Sequence, residues 1–288
     1  MISKTLPSPP RDAVPPLTVL GHENHPVSNT PEISLVIPAY NEGGNIGVAI
    51  QTISAEMRRL ERSYELLVVD DGSTDNTVEV AKAHALQHPV RVVCLSRNFG
   101  KENAITAGLT RSLGEAVIVI DADLQEPISY LEVFIDHWDR GFQMVYAVRK
   151  HREDESLLKT WGSNAFYWML NKMTTVPIPP HARDFRLMDQ KVVHALRSLP
   201  ERNRFMKGLF SWVGFKTKEV PVVIEKRHSG DSKFNYRRLL ALALTGLTSF
   251  SDFPLRVWVG IGCCISLASI LYAGLIAART MIWGSDVP

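Results

Sequence analysis

The sequence of 288 residues has few cysteines, little net charge and no visible signal peptide. Its three cysteines, Cys94, Cys263 and Cys264, show no framework spacing, which argues against a disulfide-stapled secreted fold. A net charge of +2 gives no general basic surface, so nucleic acid is not an expected partner. The N-terminus lacks a basic segment followed by an apolar run. It is rich in proline instead, and we expect residues 1–30 to be a flexible tail.

Short apolar runs alternate with segments of helical spacing as far as residue 120. The runs are nearly continuous in apolar residues, which indicates a parallel sheet covered by helices on both faces. The predicted fold class is therefore α/β, with a mostly parallel Rossmann-like sheet flanked by helices. The predicted helices span residues 45–60, 75–87 and 102–112, and the predicted strands are Ile33–Ile37, Glu65–Val69, Val90–Leu95 and Ala116–Ile120.

The last third of the chain has the composition of a membrane anchor. Residues 236–254 alternate basic and apolar stretches, which predicts a juxtamembrane amphipathic helix. The segment Val257–Ala278 then carries no charge and is long enough to span a bilayer, so we predict a transmembrane helix over residues 255–283. Basic residues are more frequent before this helix than after it, which places the predicted catalytic domain, residues 31–235, in the cytoplasm.

Polar loops follow the predicted strands, where ligands bind in parallel α/β sheets. Asp121 and Asp123 follow the fourth strand, and on an extended segment side chains two apart point the same way. Two carboxylates on one side favour a hard divalent cation, and Mg²⁺ is typically held by carboxylates and substrate phosphates. Such a cation stabilises charge on a leaving phosphate. The alternative is a solvated acidic pair at a strand end.

Two other loops offer groups for a nucleotide. Asp70 and Asp71 follow the second strand and are predicted to accept hydrogen bonds from a base or a ribose. Asn98 and Lys101 belong to the loop after the third strand, whose cations suit either a phosphate or solvent. A second cationic set suits a lipid phosphate near a membrane and consists of Arg149, Lys159, Arg183, Arg186, Arg227 and Lys233.

Five motifs occur in order along the chain. They are Pro38-Ala39-Tyr40-Asn41-Glu42, Asp70-Asp71-Gly72-Ser73-Thr74-Asp75, Asp121-Ala122-Asp123-Leu124-Gln125-Glu126-Pro127, Asp184-Phe185-Arg186-Leu187-Met188 and Gly230-Asp231-Ser232-Lys233-Phe234-Asn235. Together they resemble family 2 glycosyltransferases of the GT-A fold. The likeness covers about residues 32–284 and looks greatest to the polyprenyl-phosphate glycosyltransferases, the group of bactoprenol glucosyltransferase and dolichyl-phosphate mannose synthase.

The resemblance implies roles for individual residues. The nucleoside would be held by Pro38, Tyr40, Glu42 and Asp71. The metal and the diphosphate would be surrounded by Asp121, Asp123 and Gln125. The acceptor phosphate would be bound by Arg149, Lys159 and Ser163. From its residues alone, a glycine-containing basic loop with Arg227, Ser232 and Lys233 is also expected to close over a phosphate. Asp184 and Arg186 would face the reaction centre with Asp123. Arg183 departs from the family pattern, in which many members carry a small residue before this aspartate.

The resemblance also implies a reaction. An inverting enzyme would use Mg²⁺ or Mn²⁺ to move a sugar from a nucleotide sugar to a polyprenyl (undecaprenyl, or bactoprenol) monophosphate, on the cytoplasmic side of the inner membrane. Glucose from UDP-glucose is the expected donor, and UDP-GlcNAc, an aminoarabinose donor and GDP-mannose remain open. The bilayer is an expected partner, and a homo-oligomer such as a tetramer is expected. Because the second pKa of such a phosphate is ~6, we expect Asp184 to orient a substrate rather than abstract a proton.

Two other functions compete with this interpretation. Processive polysaccharide synthases carry a Gln-x-x-Arg-Trp acceptor motif, and no such string occurs in this sequence. A non-catalytic membrane scaffold or nucleotide sensor on the same fold would be free to lose its acidic residues. Asp121, Asp123 and Asp184 are all present, which argues against that alternative.

Overall fold

A computed structural model describes residues 18–20, 30–149, 179, 182–201, 204–223 and 253–284. The chain divides into two compact units. The first comprises Met1–Gly162 and Ile178–Lys233 and contains the sheet, and the second comprises Ser163–Pro177 and Phe234–Pro288.

The described elements alternate strand and helix through the first half of the chain. In chain order they are β1 Thr18–Leu20, β2 Ile33–Ala39, α1 Ile46–Arg59, β3 Tyr64–Asp70, α2 Thr77–His84, β4 Val90–Cys94, α3 Lys101–Arg111, β5 Ala116–Val119, α4 Tyr130–Asp139, β6 Met144–Arg149, β7 Ala182–Asp189, α5 Gln190–Ser198, α6 Met206–Trp212, β8 Thr217–Val222 and α7 Phe253–Trp283.

The strands form one eight-stranded sheet in the order β1-β4-β3-β2-β5-β7-β6-β8. Strands β4, β3, β2 and β5 run parallel to one another, whereas β7 is antiparallel to both of its neighbours, β5 and β6. The predicted mostly parallel sheet is thus confirmed. The inserted antiparallel strand matters for function, because it brings the start of β7 beside the loop that follows β5.

Both faces of the sheet are covered, because successive side chains of a buried strand point to opposite faces. On β2, Ile33, Leu35 and Ile37 belong to a buried apolar cluster that also contains residues of α1 and α4. The residue between them, Val36, lies against Gly108 of α3 on the other face. Every residue of β2 is buried, which explains its continuous apolar sequence.

Local details of the predicted elements differ from the structure. Strand β2 continues through Pro38 to Ala39, where it still pairs with β3. Proline is tolerated at this position because the pairing of β2 with β5 ends at Val36, so no hydrogen bond to β5 requires the N–H that Pro38 lacks. Helix α2 ends at His84 rather than at residue 87. Within the predicted flexible tail, Thr18–Leu20 forms a short strand on the edge of the sheet, antiparallel to β4. This pairing uses backbone groups that composition does not reveal.

The second unit contains the predicted membrane helix. Within α7, Val257–Ile282 has a mean hydropathy of 2.1, and none of its most apolar window is buried inside the structure. A helix of this length and composition is a candidate membrane span. The predicted amphipathic helix at residues 236–254 lies almost wholly outside the described residues.

Candidate active site

The site lies where β2, β3, β4 and β5 end and β7 begins. In the ladder of β5 and β7, Val119 pairs with Arg186. Because these strands are antiparallel, the residues that follow Val119 lie beside those that precede Arg186. This topology brings the loop with Asp121 and Asp123 next to Asp184, which is 63 positions away from Asp121 in the sequence.

Three carboxylates converge in the loop after β5. The oxygens of Asp121, Asp123 and Glu126 that could hold a metal lie within 4.8 Å of one another. The prediction that the two aspartates share an extended segment is wrong, because the strand ends at Val119 and the chain turns, with a positive φ of 49° at Leu124. The turn, rather than strand alternation, brings the carboxylates together.

Glu126 is the member of this set that sequence reasoning missed. It is buried, and the Arg183 Nε donates a hydrogen bond to its Oε1 at 2.8 Å. Burial raises the pKa of Glu126, as does the charge of Asp121, and the charge of Arg183 opposes this shift. The unusual Arg183 therefore balances a buried acid. A carboxylate three residues after Asp123, before a proline, was the available sequence signal.

Lys101 joins the metal-type cluster to the predicted reaction centre. As the first residue of α3, it places its Nζ 2.7 Å from Asp121 Oδ1 and 2.9 Å from Asp121 Oδ2. The same Nζ lies 2.7 Å from Asp184 Oδ2. Burial by itself would lower the pKa of Lys101, but the two carboxylates outweigh burial and hold that pKa above its usual range.

Two more ionisable side chains adjoin Asp184 without having been singled out by the sequence. Burial, helped by the charge of Asp184, raises the pKa of Glu102 to about 7. Burial lowers the pKa of Lys207, on α6, against the opposing attraction of Asp184. The pattern of residues around α6 carries no catalytic signature, and only the packing of the sheet reveals the proximity of this lysine.

Arg186 is buried, with 2% of its surface exposed. Its guanidinium carbon lies 3.6 Å from the centre of the Phe210 ring, and its Nη2 donates a hydrogen bond to the carbonyl oxygen of Arg183 at 2.7 Å. Burial lowers the pKa of Arg186 to about 10, so the side chain stays charged at neutral pH. Its predicted catalytic role stays a prediction, and the geometry also gives it a packing role.

The predicted nucleotide residue Asp71 is engaged by the protein itself. Its two carboxylate oxygens accept hydrogen bonds from the backbone N–H groups of Phe99 at 2.7 Å and Gly100 at 2.8 Å. These bonds tie the end of β3 to the residue that precedes Lys101. Gly72 permits the approach, because at its φ of 71° an added Cβ would meet the backbone of Arg97 at 2.5 Å. Asp71 thus positions the lysine loop, and its contact with a nucleotide stays a prediction.

Other predicted nucleotide residues gather at the same edge. Pro38 lies near the end of β2, and Tyr40 just beyond it is 42% exposed. Glu42 Oε2 accepts a hydrogen bond from the Asn45 side chain at 2.7 Å, which ties that carboxylate to the start of α1. Asp70 is buried and accepts bonds from the backbone N–H of Ser73. Asn98 is exposed in the loop after β4.

Most of the predicted acceptor-phosphate residues lie outside the described residues. Arg149 is the last residue of β6, where it pairs with Val222 of β8, and it is half-buried. The other predicted members lie outside the described residues, and they are Lys159, Ser163, Arg227, Ser232 and Lys233.

The donor set fits a hard divalent cation. Asp121 and Asp123 supply the carboxylate oxygens that Mg²⁺ and Mn²⁺ prefer, and Glu126 stands within reach as a third carboxylate already balanced by Arg183. The side chain of Gln125, the third predicted ligand, is half-buried, and its role stays a prediction. A carboxylate pair beside a cationic lysine suits a substrate that carries a diphosphate.

Comparison with known proteins shows a family. The model of glycosyl transferase family 2 matches residues 34–197. The bactoprenol glucosyl transferase of Shigella phage SfV is 42% identical over 257 residues, which is 89% of this chain and 84% of that protein. An uncharacterized glycosyltransferase of Synechocystis sp., sll0501, is 44% identical over 90% of this chain and 82% of its own.

Solved structures share the architecture at much lower identity. Glucosyl-3-phosphoglycerate synthase from Mycobacterium tuberculosis, in complex with Mn²⁺, UDP and glucosyl-3-phosphoglycerate, matches with a TM-score of 0.52 and 19% identity. The match covers 76% of this chain and 79% of that one. A likeness at this identity supports the fold, and the family model and the close relatives carry the assignment. The chain belongs to glycosyl transferase family 2.

Proposed function

We propose that this protein transfers glucose from UDP-glucose to a polyprenyl monophosphate, such as bactoprenol phosphate, with the help of Mg²⁺ or Mn²⁺. The bactoprenol glucosyl transferases that match nine-tenths of the chain at about 42% identity support this choice of donor and acceptor. The observation that carries the proposal is structural. One ammonium, Lys101 Nζ, lies 2.7 Å from both Asp121 and Asp184, so the metal-type carboxylates and the reaction-centre carboxylate share one small site.

Different residues would act on the leaving diphosphate and on the sugar or the acceptor. Asp121 and Asp123 would hold the cation, which would neutralise charge on the departing diphosphate. Lys101 lies where it can bind an oxygen of the same diphosphate. The sugar's anomeric carbon would exchange its bond to UDP for a bond to the acceptor phosphate in one in-line, inverting step. Asp184 would orient the sugar or the acceptor beside that carbon.

The acceptor defines where the enzyme works. A polyprenyl phosphate keeps its charged group at the membrane surface, and α7 offers an apolar helix of spanning length. We propose that α7 anchors the enzyme in the inner membrane with the catalytic unit in the cytoplasm. Lys233, Arg237, Arg238 and Arg256 precede the uncharged segment Val257–Ala278 and Arg279 follows it, as the positive-inside rule requires for that orientation.

The proposal is tested by sugar transfer in a defined system. The full chain in detergent is incubated with radiolabelled UDP-glucose, Mn²⁺ and a short-chain polyprenyl phosphate, and label is counted in the lipid extract. We expect label in the lipid and stoichiometric UDP release, both abolished by EDTA. Asp123→Asn should lower the rate by roughly 100-fold or more, because it removes a proposed ligand of the cation. Lys191→Met, at the start of α5 and beside the end of β5 that is opposite to Asp121, should leave the rate unchanged.

A donor panel separates the proposed reaction from its alternatives. UDP-GlcNAc, an aminoarabinose donor and GDP-mannose are assayed under the same conditions. If one of them is transferred faster than glucose, that sugar is the donor sugar, and the proposed transfer to a polyprenyl phosphate still holds. Binding of UDP without transfer from any donor would favour the nucleotide sensor. The homo-oligomer stays a prediction, which light scattering of the detergent-solubilised protein would test.

A further inference from the structure

The ammonium of Lys101 lies between the carboxylates of Asp121 and Asp184 and neutralises part of their charge. It contacts both oxygens of Asp121, at 2.7 and 2.9 Å, and one oxygen of Asp184 at 2.7 Å. Asp121 is also one of the carboxylates that form the metal-type set. The carboxylate of Asp121 is thus both the ion-pair partner of Lys101 and a proposed ligand of the metal.

The lysine is held at this position by its own loop. Asp71 accepts a hydrogen bond from the backbone N–H of Gly100, and Gly100 is the N-cap of α3, with a φ of 94°. Lys101 follows as the first helical residue, so its backbone position is fixed by a buried carboxylate at the end of β3. The side chain of Lys101 is 41% exposed, but it starts from an anchored backbone and lies next to two acids.

The ammonium of Lys101 and a divalent ion bound to Asp121 would repel each other, and additional negative charge is needed to offset this repulsion. A divalent ion that binds Asp121 must share it with Lys101 or displace the ammonium toward Asp184. The diphosphate of a nucleotide sugar supplies the missing charge, because its oxygens can bind both the ion and the lysine. The favourable arrangement of both cations therefore requires the donor.

We propose that Lys101 is a positioning residue that makes metal binding depend on the donor. In the free enzyme it neutralises Asp121 and Asp184 and weakens binding of a metal alone. When the donor is present, the lysine shifts to the diphosphate and the metal takes Asp121. This inference rests on the proposed function, because it requires a site that binds both a divalent cation and a nucleoside diphosphate. By linkage, the metal must strengthen donor binding by the same factor.

The test measures Mn²⁺ affinity rather than turnover. Free Mn²⁺ is followed by its electron paramagnetic resonance signal during titration of the full chain in detergent, with and without UDP, after correction for the Mn²⁺–UDP complex. For the wild type we expect UDP to tighten Mn²⁺ binding by roughly tenfold or more. For Lys101→Met we expect Mn²⁺ alone to bind at least about fivefold tighter than to the wild type, with a smaller effect of UDP.

Matched variants locate the effect. Lys191→Met removes a lysine at the start of α5, beside the end of β5 opposite to Asp121, and should bind Mn²⁺ as the wild type does. Asp123→Asn should weaken Mn²⁺ binding, which shows that the titrated ion occupies this site. Lys101→Arg keeps the charge and should keep most of the dependence on UDP. Lys101→Gln carries the same expectation as Lys101→Met and replaces it if the methionine variant does not fold.

The outcomes separate this inference from the proposed function. If the wild type binds neither Mn²⁺ nor UDP, the proposed function fails, and this inference fails with it. If the wild type binds both but neutral variants of Lys101 bind Mn²⁺ no tighter, the proposed function stands and the role of Lys101 is overturned. A purely structural ion pair would give that second result, because its removal would loosen the site. Binding of Mn²⁺ that is insensitive to UDP in the wild type would overturn the inference without any variant.

Discussion

Asp184 is held ionised by the cations around it. Burial by itself would raise its pKa, but the charges of Lys101, Lys207 and Arg186 and the hydrogen bond from Lys101 outweigh burial and keep that pKa well below its usual range. A carboxylate with so low a pKa is a weak proton acceptor at neutral pH. The electrostatics of the site therefore support a role for Asp184 in orientation rather than in proton abstraction.

Replacing Asp184 tests this role through the pH dependence of the rate. We expect Asp184→Asn to lower turnover by roughly 100-fold, because a misplaced substrate reacts slowly. Asp184 should contribute no ionisation to the kcat–pH profile between about pH 5.5 and 9, and any ionisation of Glu102 should move to lower pH in the variant, because the charge of Asp184 raises the pKa of Glu102. Turnover is measured as UDP release. A single ionisation in the wild-type profile that disappears in the variant would instead assign Asp184 as the base. Asp136→Asn, an exposed carboxylate on α4, serves as the control.

Glu102 has the opposite character, because burial and the charge of Asp184 raise its pKa to about 7 from a usual value of 4.5. Below about pH 4.5 the group is neutral in the folded and unfolded chain alike and has no effect on the free energy of unfolding. Between pH 4.5 and 7 it ionises first in the unfolded chain, so stability falls as pH rises. Above pH 7 the penalty is constant.

Glu102→Gln should remove this penalty. In EDTA, the variant should match the wild type in stability near pH 4.5 and exceed it near pH 7.5 by on the order of 2–3 kcal/mol, which is several degrees in Tm. Tryptophan fluorescence during heating of the detergent-solubilised chain measures the difference. Parallel Tm–pH curves for the two proteins would show that Glu102 titrates normally.

At the scale of elements, the close approach of α3 to β2 positions Lys101. Gly108 faces the strand, and a Cβ at that position would lie 2.2 Å from Cγ1 of Val36. Val36 is buried and β-branched, so it cannot turn aside easily. A larger residue at position 108 would therefore push the helix away from the sheet and move its first residue, the site lysine.

Gly108→Ala should destabilise the fold by roughly 1–3 kcal/mol, the usual cost of overpacking a core. Adding Val36→Ala should recover part of the loss, because the new methyl group then occupies the space of the removed ones. A double-mutant cycle by thermal unfolding measures the coupling, expected at about 0.5–3 kcal/mol. Gly44→Ala, where an added Cβ meets no atom within 4 Å, should be nearly neutral. Additive effects of the two substitutions would contradict the contact.

At the scale of the whole molecule, the chain joins the α/β unit that carries the candidate site to a unit that contains a long apolar helix. The side chains of Trp258, Ile270 and Leu275 are each more than 60% exposed. Exposure of many apolar side chains along a helix is unfavourable in water and favourable in a bilayer, where the helix also makes all hydrogen bonds of its own backbone. The composition of α7 therefore supports a membrane location for the enzyme.

Charges in the centre of α7 should release the protein from membranes. Leu267→Asp with Leu271→Asp places two carboxylates one turn apart, each costing about 2.5–3.5 kcal/mol at the centre of a span. We expect the doubly substituted chain to leave the membrane fraction on alkaline carbonate extraction, while Leu267→Ala with Leu271→Ala remains. Retention of the Asp variant in the membrane would show that another segment provides the anchor.

The types and order of strands β2 to β5 and helices α1 to α3 follow from sequence, because each depends on a local pattern. Short apolar runs with β-branched residues, such as Leu66–Val69, are typical of a strand buried on both faces, and Ile46, Ile50 and Ile53 lie on one face of a helix. The metal-type pair and the apolar C-terminal helix are also local, as is the order of the five family motifs. These features allowed the family to be predicted before any fold was known.

The composition of the site depends on contacts that no local pattern encodes. Lys101, Asp121 and Asp184 meet because β7 runs antiparallel beside β5, and strand order is a property of the whole sheet. Glu126 joins the cluster because the chain turns after Val119, and Asp71 faces inward because Gly72 lets two loops touch. Ion pairs and pKa values arise from distances between such groups, so they exist only once the chain has folded.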